Sequence, residues 1–132
     1  MRFTERELTA ALEGAAKSVL AAQDKEVRKG RRTADDAWAA LTKFQRYQML
    51  SGLGDQLLGP LVALPDVEVA VGTRPAFTDA QVQQAVQEQA GEELRGMKGK
   101  VLLKARVALV QLALSHVPPR ADPDALVVPD HL

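Results

Sequence analysis

The sequence predicts an all-α fold: a single-domain bundle of four to five helices around a central buried helix at about residues 100–117. A short extended segment near 67–71 and an extended C-terminal arm complete it. Three observations lead there. Residues 98–117, KGKVLLKARVALVQLALSHV, are apolar on nearly every side of a helix, which is the pattern of an element packed by several neighbours. The helix-opening box Thr-x-x-Glu/Gln occurs at Thr4–Glu7, Thr42–Gln45 and Thr78–Gln81. Only Val67–Val71 alternates apolar and polar residues as a half-buried strand does, and its one β-leaning counterpart is Leu126–Val128.

The first helix opens at Thr4, with Phe3 and Leu8 as a hydrophobic staple, and its apolar stripe through Ala11, Ala15, Val19 and Val27 predicts a helix from Glu5 to Lys29. Gly30 then stops it. Thr33 caps a second helical region with Asp35 and Asp36 in its first turn. Trp38, Leu41, Phe44 and Tyr47 share a drifting face, and the region from Thr33 to Leu58 reads as one helix or as two broken near residue 42. Gly52 and Gly54 predict close helix packing, and Gly59–Pro60 predicts the end of the helix, with Leu61–Leu64 as a turn. Thr78 opens the next helix, and Gly91 predicts a break before the central one. Within that central helix Lys100, Lys104, Gln111 and Ser115 form a narrow polar seam. Pro118 and Pro119 end it, dividing the chain into a helical domain, 1–119, and an arm, 120–132, expected to pack on the body or on a partner subunit.

Composition narrows the function classes. At 132 residues the chain can bury roughly two thirds of its unfolded surface as one domain. Its 17 basic and 17 acidic residues balance, so there is no whole-molecule field to draw it to nucleic acid or an acidic membrane. Cysteine is absent, which excludes disulfides and thiol chemistry. The start MRFTEREL has no signal-peptide core and points to the cytoplasm. The apolar run at 101–114 carries Lys104 and Arg106 and falls short of a membrane span. A lack of Ile and Asn suggests a high-GC, bacterial source.

Two basic groups are candidate anion sites. The first holds Arg28, Lys29, Arg31 and Arg32 within 25–32, and the second, free of acids, holds Arg95, Lys98, Lys100, Lys104 and Arg106 within 95–106. Neither interleaves with aromatic residues, which argues against single-strand binding, and the alternative for both is a solvated surface. Lys104 and Arg106 fall inside the apolar stretch, so each must be paired or reach water, or else line a small-ligand pocket with Trp38 or Tyr47 as its wall. His116 and His131 are too far apart for a metal motif, and no nucleophile, base and orienting group follow from spacing. No cofactor is expected. The sequence therefore favours a small non-catalytic interaction or assembly module that self-associates as a homodimer or joins another protein. A nucleic-acid or polyanion binder and a small-ligand binder are the alternatives.

Overall fold

A computed structural model describes residues 1 to 121. The arm from residue 122 onward, including the Leu126–Val128 segment and His131, lies outside the described residues. The element order is α1 (Glu5–Gln23), α2 (Lys25–Arg28), α3 (Ala34–Ala40), α4 (Lys43–Ala63), α5 (Asp79–Ala90), a 3-10 turn (Gly91–Leu94) and α6 (Gly96–Ser115). The fold is all-α, and no β-strand forms among the described residues.

Each expected capping box is present. The Thr4 N–H donates to Glu7 Oε1 (2.8 Å) and the Glu7 N–H to Thr4 Oγ1 (3.1 Å). Thr42 with Gln45 and Thr78 with Gln81 repeat the exchange. Capping also settles the count in the second region: Leu41 is extended (φ −71°, ψ 149°), so Thr33–Leu58 is two helices.

Two boundaries differ from expectation. The first helix stops at Gln23, not Lys29, because Asp24 leaves the helical region (φ −91°, ψ 115°) and its carboxylate accepts from the N–H groups of Glu26 (2.9 Å) and Val27 (3.1 Å). A short acidic side chain has here displaced the helical ladder and capped a new turn. In α4, by contrast, Pro60 does not end the helix, which continues to Ala63. Proline this near the C-terminus removes one ladder bond. Leu61 and Leu64 are buried, and the Met1 amino group donates to the carbonyls of Val62 (2.9 Å) and Leu64. Close approach is found not at Gly52 or Gly54 but at Gly14, Gly59 and Gly99.

The long helices alternate in direction. Ala63 shares a depression with Gln81 and Ala85, whereas Asp55 and Gln56 share one with Gln89 and Ala90, so α4 and α5 are antiparallel. Gln111 near the end of α6 donates to the Phe77 carbonyl (3.0 Å) and to Asp79 (3.1 Å) at the start of α5, while Arg106 faces Gln89 and Ala90, so α6 also runs against α5. The N-terminal halves of α4 and α6 therefore lie at the same end of the bundle. The core cluster joins Ala11, Ala15, Leu57, Leu61, Val82, Val86, Val110 and Val117.

One ionic contact ties the other end together. Glu7 is 4% exposed; one carboxylate oxygen closes the capping box and the other lies 3.2 Å from Arg120 Nε. The contact is ionic, since neither Glu7 Oε2 nor Arg120 Nε has a hydrogen-bond partner. The backbone of Arg120 is bonded to Gly72 (N–H to the Arg120 carbonyl, 2.9 Å) and to Thr73 (Arg120 N–H to its carbonyl, 2.8 Å). The extended segment 67–71 leads into this junction with Val67 and Val69 half-buried and Glu68 and Ala70 exposed.

Removing one partner of a buried pair leaves an uncompensated charge. Arg120→Ala is expected to destabilise the chain by about 3 kcal/mol, and the double variant Glu7→Gln/Arg120→Met, which removes both charges, by less. Urea unfolding checks this; an Arg120→Ala variant as stable as the parent would contradict it.

Candidate functional site

The most distinctive surface belongs to α6. Its start is set by Gly99: a Cβ there would lie 2.1 Å from the carbonyl carbon of Leu94, so only glycine allows the 3-10 turn to fold against the first turn of the helix. From that point α6 contacts α1, α4 and α5, and Val110, Ala113 and Leu114 are buried. Its solvent side is nonetheless apolar. Met97 (85% exposed), Val101 (69%), Ala105 and Ala108 recur at spacings of four, four and three and form one exposed stripe. Leu102 (44%) borders it, and Lys98 and Lys104 flank it. At the same end of the bundle Phe44 and Tyr47 of α4 are exposed as well, at 66% and 67%.

Beside the stripe runs a groove between α5 and α6, about 680 Å³ in volume. Leu103, Val107 and Ala108 give it an apolar floor, and Lys100 and Lys104 stand on its rim. Gln111 and Asp79, bonded to each other, mark one end. Of the polar seam read from the sequence, Lys100 and Lys104 thus form the rim of this groove and Gln111 the joint to the start of α5, while the Ser115 hydroxyl donates to the Leu112 carbonyl.

Lys104 and Arg106 do not share a pocket. Lys104 is exposed on the groove rim, whereas Arg106 is half-buried on the other side of the helix, in a depression with Asp55, Gln56 and Pro60. Trp38 is buried in the core and Tyr47 is exposed on α4, and neither lines a depression with either cation. The single small-ligand constellation expected from these four residues is therefore not assembled.

The basic stretch 25–32 is partly neutralised. Arg32 pairs with Asp24, and Arg31 lies 3.6 Å from Glu26. Arg28 and Lys29 are exposed. The Arg32 guanidinium, with the Val27 and Glu26 N–H groups, holds the Asp24 carboxyl below the usual carboxylate range. The same contact raises Arg32.

A third region was not legible in the sequence. Ser18 Oγ and His116 Nε2 are 3.1 Å apart although the residues are 98 positions apart in the chain. His116 lies on Gly14, where a Cβ would be 2.2 Å from the imidazole Cγ, so glycine is what lets the end of α6 rest on α1. Beside them Lys17 bridges Asp35 (3.0 Å) and Glu13 (3.4 Å) in an open depression of about 540 Å³. Asp35, and less so Glu13, raise the Lys17 pKa against a smaller opposing effect of desolvation. Nothing local in the sequence marks the Ser18–His116 pair. Its geometry is that of a helix-to-helix tie, and Lys17 is occupied by carboxylates. Among the described residues no group of three His, Asp or Glu side chains could hold a metal ion, and no helix is long and apolar enough to cross a membrane.

The Asp24 carboxyl offers a test of the basic stretch. Because its folded pKa is depressed, the Asp24–Arg32 tie is fully present above the ordinary carboxylate range and is lost as pH falls through the folded value. Arg32→Ala is expected to move the Asp24 titration, followed by carboxyl NMR, upward; an unchanged midpoint would show that the guanidinium does not set it. The chain matches no protein-family model, no curated protein and no solved structure.

Proposed function

We propose that the protein is a small helical interaction module that self-associates through the solvent side of α6. The observation that carries this reading is the exposed stripe Met97–Val101–Ala105–Ala108, a helix-spaced apolar row that nothing within residues 1–121 covers. Soluble monomers seldom leave such a row in water, and apolar rows at this spacing are what helix-in-groove and helix-pair interfaces bury. The flanking Lys98 and Lys104 supply charge selection: a partner surface of the same sign is repelled and an acidic one is drawn in. A cytoplasmic setting suits a cysteine-free chain of this kind.

The polyanion reading has weaker support. The stretch 25–32 spends Arg31 and Arg32 on its own carboxylates, and the cations of α6 border apolar floor and stripe in place of the aromatic platforms that nucleic acid uses.

Sedimentation velocity over a concentration series tests self-association. The full-length chain is expected to show a rising weight-average sedimentation coefficient, and Val101→Glu, at an exposed position, to weaken association about tenfold or more by placing a charge in the apolar contact. A full-length chain that stays monomeric up to about 1 mM would remove the self-association reading.

A further inference from the structure

We propose that the ligand of the α5–α6 groove and the adjoining stripe is the chain's own acidic segment, residues 122–132. The inference rests on the reading of α6 as a docking surface and names what docks there.

Charge is the first argument. From Gly96 to Ala121 the sequence contains no Asp or Glu, while Lys98, Lys100 and Lys104 are exposed on α6. The one acid lining the groove, Asp79, already accepts a hydrogen bond from Gln111. A second copy presenting the same face would set lysines against lysines, so a symmetric α6-to-α6 contact is opposed. Residues 122–132, DPDALVVPDHL, carry Asp122, Asp124 and Asp130 and no Lys or Arg. Their apolar centre, Leu126, Val127 and Val128, matches a floor made of Leu103, Val107 and Ala108.

Length is the second. The described chain ends one residue after Arg120, whose backbone is fixed to Gly72 and Thr73. From Ser115 back to Lys100 the α6 axis spans about 23 Å at 1.5 Å per residue. Eleven residues in extended form reach up to about 36 Å. That reach exceeds the length of α6 along the groove, enough for the apolar centre to seat over the floor and for Asp130 to meet the lysine rim. The linkage makes docking within one chain dominant in dilute solution, and exchange of the segment between two copies gives the self-associated form as concentration rises.

The test uses the chain ending at Ala121 and a synthetic peptide of residues 122–132, followed by fluorescence anisotropy. Circular dichroism first verifies that the shortened chain is folded. Binding is expected, weakening as salt rises and falling about tenfold in the variant Lys98→Glu/Lys100→Glu/Lys104→Glu. The full-length protein, with its seat occupied, is expected to bind the same peptide more weakly than the shortened chain. Peptide that fails to bind the folded shortened chain, or that binds it equally well after the charge reversal, overturns the proposal. Self-association that survives removal of residues 122–132 alongside absent peptide binding would refute this occupant and keep the interaction-module reading. Peptide binding to the shortened chain with a strictly monomeric full-length protein would support the occupant and refute self-association.

Discussion

The contact on which the arrangement depends most is the ionic pair between Glu7 and Arg120. It is made by a carboxylate that is also half of the α1 capping box and by a cation whose backbone is bonded to the turn at Gly72–Thr73. Three segments remote in sequence thereby meet at one end of the bundle: the start of α1, the link between α4 and α5, and the chain leaving α6. Burying the carboxylate is costly unless it is compensated, so the pair does little as a source of net stability and much as a constraint on which segments meet. With Gly14 admitting His116 and Ser18 meeting the imidazole, it fixes the C-terminal half of α6 against α1.

A helix held in this way at one end has different surroundings at the other. Around Val110, Ala113 and Leu114 the helix is core; around Met97 and Val101 one side faces water, with lysines beside it. The chain as a whole is neutral, yet this half of α6 is locally basic. Apolar surface supplies affinity without direction, whereas the flanking cations select the sign of what approaches. That combination is the physical content of the docking surface proposed for α6.

The helix starts were legible because capping is local: Thr4, Thr42 and Thr78 each need only a residue three positions on. The break at Asp24 was less so, since the same carboxylate is tolerated on a helix surface unless nearby N–H groups and Arg32 hold it elsewhere. Pro60 misled because the turn after it is held by the burial of Leu61 and by the Met1 amino group, and the second of these is remote in sequence. In α6 the composition made the whole circumference look like core, although burial is set by how many neighbours reach each side. The lysine cluster was visible in the sequence, but the apolar residues between the lysines were read as interior. Arg120 and the Ser18–His116 tie join positions about a hundred residues apart, and no spacing rule reports such contacts.

Backbone hydrogen exchange along α6, compared between the full-length protein and the chain ending at Ala121, reports whether the apolar side of the helix is a docking surface. Amides around Val110–Leu114, inside the core, are expected to exchange at similar rates in both, whereas those from Val101 to Val107 are slower in the full-length chain. Equal exchange along the whole of α6 in the two proteins would contradict it.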